Sequence, residues 1–246
     1  MKRLQGSETM IDWHSHILPG MDDGSKNVEE SLCLMAMLTE QGVDTVVATP
    51  HFYANDESVD SFLERRAVSV EKFQAQLSDS LPEVLLGAEV SYYPGISKMS
   101  GLKRLVIENT QLLLLEMPMS KWTEYTCSEL TELSCSGEMQ IILAHVERYL
   151  SYQSADVLKC LFESNLLMQV NATFFTQLGS RRKALRMLEN GKIQFIGSDT
   201  HNTTTRPPHI KKAFEIIQRK FGDDFIKQMN GFGYSMLVQN HKKNIF

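Results

Sequence analysis

Short apolar runs alternate with longer, helix-like segments along almost the whole chain, and this alternation most narrows what it can fold into. The strand candidates are residues 10–14, 44–49, 84–89, 112–116, 141–145, 166–171 and 193–198. Each is close to continuously hydrophobic, as parallel strands buried on both faces are. Helix candidates lie between them at 28–41, 58–77, 123–133, 155–164, 182–189 and 210–221, the first stopped by Gly42. Strand and helix in alternation predict a parallel α/β fold, and seven strand units suggest a barrel or distorted barrel rather than an open sheet. With 246 residues, 42% of them apolar, the chain can bury one such core as a single domain over 10–246. Residues 1–9 are polar and lack the apolar stretch of a signal peptide. Met10 offers a second start, so 1–9 read as a dispensable extension.

The C-terminal ends of the strand candidates collect the ionisable chemistry. His14 and His16 end the first, His51 follows the second, Glu89 the third and Glu116 the fourth. His145 ends the fifth, Asn171 the sixth, and Asp199 and His201 follow the seventh. Catalytic groups of (β/α) barrels come from these ends, and random scatter would not put five of seven histidines there. Residues two apart on a strand share a side, so His14 and His16 can converge on one ion. Imidazole with carboxylate is the ligand set of a hydrolytic transition-metal site. Glu89 and Glu116 could be ordinary surface glutamates, but each follows a buried apolar run where an unpaired charge would be costly. His14, His16, His51, His145, His201, Asp23, Glu89, Glu116 and Asp199 exceed what one ion needs. Two or three ions sharing a bridging carboxylate would use them all.

Asp23 is favoured as a ligand, and Asp22 as a turn or capping residue ahead of the first helix. Asp12 is placed to hydrogen-bond a histidine from behind. His209 and His241 have no strand-end placement and read as surface or core histidines. Arg148 and Arg206 each follow a ligand candidate at short range, and a guanidinium fork matches a phosphoryl group. A loop salt bridge is the plain alternative for both.

Several classes are excluded. No cysteine is followed by an anion-binding loop and arginine, and there is no P-loop, no G-x-G-x-x-G and no G-x-S-x-G. A net charge of -5 without a basic run argues against nucleic acid, and no apolar run is long enough to span a bilayer. Cys33, Cys127, Cys135 and Cys160 form no framework and read as reduced, buried thiols of a cytoplasmic protein.

These motifs in this order resemble the polymerase-and-histidinol-phosphatase (PHP) superfamily, in its bacterial capsule and exopolysaccharide tyrosine-phosphatase branch of the CpsB/YwqE type. The resemblance rests on 11–24, 48–51, 87–89, 115–116, 144–149 and 198–202, spanning the chain from Met10 onward. It implies a distorted (β/α)7, TIM-like barrel holding three divalent ions, often manganese, with Fe, Zn or Co compatible with the same ligands. One ion would lie on His14, His16, Glu89 and Asp199; a second on Glu89, Glu116 and His145; a third on Asp23, His51 and His201. Arg148 is similar to the family's phosphate-binding arginine. The implied substrate is a phosphotyrosine protein, such as the tyrosine-rich tail of a bacterial kinase controlling capsule synthesis. Trp13, bulkier than usual, and the loop 117–120 depart from the pattern.

The chemistry is hydrolysis of a phosphomonoester by an activated water, with Arg148 and Arg206 on the phosphoryl oxygens and Asp199 or water supplying any proton. A small-molecule phosphatase, such as one for histidinol phosphate, is the main alternative. A phosphotyrosine-sensing module and a metal-dependent deacylase follow it.

Overall fold

Every strand pairing among the described residues is parallel. The structure, a computed structural model, describes residues 6–241. Among these, the strands are β1 (Ile11–Ser15), β2 (Thr45–Ala48), β3 (His51–Phe52), β4 (Glu83–Leu86), β5 (Glu89–Ser91), β6 (Leu112–Glu116), β7 (Gln140–Leu143), β8 (Leu167–Asn171) and β9 (Phe195–Gly197). One sheet has the order β1-β2-β4 and the other β3-β5-β6-β7-β8-β9. A parallel bridge between Ser15 and Thr200 joins the first and last segments. Amide bonds from Asp199 to the His14 carbonyl (2.8 Å) and from His16 to the Thr200 carbonyl (2.9 Å) reinforce it. The result is a mixed α/β fold with a curled parallel sheet.

Two strands expected to be continuous are each broken. Pro50, which has no N–H to give, separates β2 from β3. Gly87 and Ala88 separate β4 from β5. His51 and Glu89 therefore open the short second segments instead of ending the first ones, and they pair side by side. In β1, Asp12 pairs Val46 and Ser15 pairs Ala48, so Trp13 and His14 together oppose Val47. This bulge re-aims the side chains that follow, as bulges beside functional sites do.

The helices are α1 (Val28–Glu40), α2 (Val59–Gln74), α3 (Glu124–Cys135), α4 (Ala155–Glu163), α5 (Ala172–Thr176), α6 (Leu178–Glu189), α7 (Ile210–Phe221) and α8 (Asp223–His241). Asn27, Ser58, Thr123 and Ser154 cap the first four by accepting from the N–H three residues on. α8 has no counterpart among the sequence-based helices because Gly231 and Gly233 interrupt its pattern. Gly233 is needed there, since a Cβ would lie 3.2 Å from the Trp13 ring. Trp13 fills the space beneath the site, stacked on Phe195 with ring centroids 4.0 Å apart.

The main core lies between helices and sheet, and a smaller cluster takes Leu112, Leu114, Ile142, Phe195 and Leu237. Gly6–Glu8 forms a single 3-10 turn against α8, and the buried Thr9 follows it. The rest of the expected 1–9 extension, residues 1–5, lies outside the described residues. The cysteines are not the buried thiols that composition suggested. Cys33, Cys135 and Cys160 are exposed and Cys127 is half-buried, all free, because they fall on the outer sides of α1, α3 and α4. No helix among the described residues is long and apolar enough to cross a membrane.

Candidate metal centre

All nine expected ligand residues meet at one end of the curled sheet, around Glu89. This carboxylate is fully buried, with Oε2 3.1 Å from His14 Nε2, 3.3 Å from His16 Nε2 and 3.0 Å from His51 Nδ1. Its Oε1 is 2.8 Å from His145 Nε2, which lies 3.4 Å from Glu116. Asp199 Oδ1 stands 3.5 Å from His16 and 3.6 Å from His201. Asp23 Oδ1 stands 3.2 Å from His201 and 3.6 Å from His51.

Three groups offer ligand atoms within 4.8 Å of one another: His14 with His16 and Glu89, His51 with Glu89 and Glu116, and His16 with Asp23, His51 and His201. His16, His51 and Glu89 each belong to two of these groups, so the groups are contiguous. His145 falls outside the second group, where the sequence expectation had it, although it touches both carboxylates.

The donor set suits divalent cations on its own terms. Glu89 Oε2, His51 Nδ1 and His201 Nε2 are buried and have no hydrogen-bond partner. Buried polar atoms are nearly always satisfied, so Glu89 Oε2 and His51 Nδ1, 3.0 Å apart without a hydrogen bond between them, mark a ligand position. Burial raises the cost of charge on Glu89 and Asp199, yet the histidines around them hold both well below the usual carboxylate range. Burial likewise opposes charge on His145, but Glu116 and Glu89 carry it up to about 9. His201 goes the other way, to about 4, through burial and the neighbouring His16.

Local backbone geometry shapes the site. His145 and Asp199 both have positive φ (28° and 52°), strained for residues with a Cβ and typical of functional positions. Gly24 and Gly197 permit close approaches to His16 and His14. A Cβ on Gly197 would lie 2.5 Å from His14 Cβ and 2.8 Å from Gln169 Nε2. Gly197→Ala is therefore expected to cost about 1–3 kcal/mol of stability. Denaturant unfolding checks this, and a wild-type midpoint would contradict it.

The outer hydrogen bonds differ from expectation in an instructive way. Asp12 does not reach an imidazole; its Oδ1 accepts the backbone N–H of Ser198 (2.7 Å) and of His14 (3.3 Å), tying β1 to the end of β9. Its position inside the strand turns the side chain toward the neighbouring backbone. Asp22 is more than a turn residue. Its Oδ2 lies 2.7 Å from His16 Nδ1 and accepts the His51 N–H at 2.8 Å, orienting one imidazole and anchoring the strand of another. Burial raises its pKa, but His16 and the backbone donors outweigh this and keep Asp22 ionised. Gln169 was missed altogether: its Oε1 lies 3.2 Å from His14 Nδ1 and accepts the His145 N–H at 2.7 Å. A buried glutamine inside an apolar strand was the available signal.

Asp12 also supplies a pH test. Burial drives its carboxyl up to about 6 from 3.8, over the opposing pull of Ser198 and His14. A folded-state pKa above the unfolded value means that stability is fully present below about 4 and is lost as pH rises through about 6. In chelator-treated protein, the Tm of Asp12→Asn minus that of the wild type is expected to rise between pH 4 and pH 7. A flat difference across that window would refute the assignment.

The two arginines converge on the other oxygen of Asp199. Its Oδ2 accepts from Arg148, from Arg206 at 2.9 Å and from Asn171 at 2.8 Å. Arg148 ends the 3-10 turn Val146–Arg148 just after His145. Arg206 is folded back by Asn202, whose side-chain oxygen accepts the N–H groups of Thr204, Thr205 and Arg206. Both arginine side chains are about a third exposed, at 32% and 38%, so they are open to solvent as well as bound to Asp199.

A curled parallel α/β sheet with a histidine–carboxylate centre at its strand ends and arginines at the rim defines a metallohydrolase-type site. The chain belongs to the family described as "Capsular polysaccharide synthesis, CpsB/CapC", whose pattern matches residues 10–236. Tyrosine-protein phosphatase CpsB of Streptococcus agalactiae is 28% identical over 94% of this chain and 99% of its own length. A putative tyrosine-protein phosphatase, CapC of Staphylococcus aureus, is 30% identical, covering 83% of this chain and 82% of its own. A solved structure from work on YwqE of Bacillus subtilis and CpsB of Streptococcus pneumoniae, described as metal-dependent tyrosine phosphatases, superposes with a TM-score of 0.77. It is 26% identical and covers 94% of this chain and 95% of its own.

Proposed function

We propose that this protein is a metal-dependent protein-tyrosine phosphatase, hydrolysing phosphotyrosine monoesters on a bacterial protein of the capsule or exopolysaccharide apparatus, such as the tail of a tyrosine kinase. The observation that carries the reading is the pairing of two charge centres: four imidazoles on Glu89, and two arginines on the outer oxygen of Asp199. The first suits cations, the second a phosphoryl group beside them. Membership of the family and the names of its relatives support the substrate class.

In this reading His14, His16, Asp23, His51, Glu89, Glu116, His145, Asp199 and His201 hold the ions, three per chain with manganese preferred. When bound, the ions lower the pKa of water and neutralise phosphoryl charge. Arg148 and Arg206 grip the phosphoryl oxygens and stabilise the charge that builds on them. Asp199, held ionised, has no proton to give, so solvent protonates the leaving phenolate, whose pKa of about 10 demands little help. Asp22 and Gln169 orient His16 and His14. The curled sheet is read as a distorted (β/α)7 barrel, since β2 with β3 and β4 with β5 each make one interrupted strand. Residues 10–246 are read as one domain, because both hydrophobic clusters draw on β2, β6, β7 and β9. Free cysteines suit a cytoplasmic setting.

The test compares rates on a phosphotyrosyl peptide and on histidinol phosphate, with manganese and with chelator. Manganese-dependent turnover favouring the peptide is expected. Preference for histidinol phosphate would make it a small-molecule phosphatase, and no turnover of either would end the proposal.

A further inference from the structure

Two residues beyond His51, on the same short segment, Tyr53 stands at the mouth of the site with one face covered. Its ring lies 5.3 Å from the His51 ring at an interplanar angle of 27°, and the residue is 41% exposed. Strand alternation places it there: Phe52 turns into the core against Phe62, so His51 and Tyr53 share the opposite side. His51 is its only ring partner among the described residues, and its phenol makes no hydrogen bond among them. An open aromatic face beside the site can stack an aryl group, since offset ring pairs are favourable beyond their burial.

The backbone that carries the ring is also tied down before anything binds. The Tyr53 carbonyl accepts the N–H groups of Asp56 (3.0 Å) and Glu57 (3.2 Å). The Glu57 carboxylate takes two bonds from Arg65, at 2.6 and 3.1 Å. Arg65 in turn donates to the Met21 carbonyl, next to Asp22 and Asp23. The segment bearing Tyr53 is thus tied to the loop that bears two of the site's carboxylates, and a wall fixed in advance costs little ordering on binding.

We infer that Tyr53 is a specificity-determining residue, its open face receiving the phenyl ring of a phosphotyrosine whose phosphate lies over the metal centre. The inference rests on the phosphatase reading and adds what it lacks, a reason for an aryl ester to be preferred to an alkyl one. The loop 117–120, which directly follows Glu116, is fixed by Trp122 donating to the Pro118 carbonyl at 3.0 Å and Gln153 donating to the Ser120 carbonyl at 2.8 Å.

Calorimetric titration of manganese-loaded wild type, Tyr53→Phe and Tyr53→Ala with phenylphosphonate and with methylphosphonate tests this without relying on turnover. Tyr53→Ala is expected to weaken phenylphosphonate about fivefold, the size of one aromatic pair, and to leave methylphosphonate unchanged. Tyr53→Phe should match the wild type for both. Equal losses for the two ligands, or none, would overturn the inference. If the wild type prefers phenylphosphonate and Tyr53→Ala loses that preference, but phosphotyrosyl peptide is not hydrolysed, the aryl wall stands and the phosphatase reading falls. No binding of either ligand by the wild type would remove both.

Discussion

Glu89→Gln is expected to remove bound divalent ions and turnover together, lowering the rate on a phosphotyrosyl peptide by on the order of 10³ or more. The size follows from position. Among the described residues, Glu89 is the only carboxylate whose two oxygens face His14, His16, His51 and His145, at 2.8 to 3.3 Å. Glutamine keeps the shape but replaces one oxygen by an NH2 group and deletes the charge, so neither adjoining cation position retains its shared ligand. Elemental analysis alongside a rate measurement checks the pair of effects. Folding can be followed separately by circular dichroism, since the apolar neighbours Ala88 and Val90 are untouched. Full metal content with wild-type rate in Glu89→Gln would show that the centre is not organised on this residue.

Arg148→Ala is expected to lower turnover by about 10² to 10³ while the ions stay bound. Asp199 Oδ2 has three donors, and Arg206 and Asn171 remain when Arg148 is cut back, so the carboxylate is still held. What goes is the guanidinium that can turn to a phosphoryl oxygen at the mouth. Arg148→Lys keeps the charge without the fork and should recover only part of the loss. Loss of metal in proportion to loss of rate would make Arg148 a structural brace for Asp199 instead.

Much of this was legible in the chain. The seven apolar runs are recovered as strands because parallel strands buried on both faces leave an unmistakable pattern. The candidate ligand residues stood out because charge immediately after such a run has to be paired. The sequence-based reading missed what depends on direction in space. It was Asp22 and not Asp12 that met an imidazole, because nothing in their spacing shows that Asp22 lies against His16 Nδ1 while Asp12 faces the Ser198 amide. α8 was hidden by two glycines, one of them present to admit Trp13. The cysteines were misplaced because composition carries no helix face.

The amino-acid order alone determined the alternating parallel architecture and the set of polar residues at strand ends, since both follow from local periodicity and from the cost of burying unpaired charge. Eight of the nine candidates stand there, and Asp23 lies in the loop after the first strand. Only the tertiary structure decided how those residues are shared: that Glu89 is central, that Arg148 and Arg206 meet on one oxygen of Asp199, and that Tyr53 covers His51. Those relations join elements far apart in the chain, through the bulge in β1, the breaks at Pro50 and Gly87, and the bridge from Ser15 to Thr200. Each is a matter of which way a backbone turns, and that is settled only when the sheet curls.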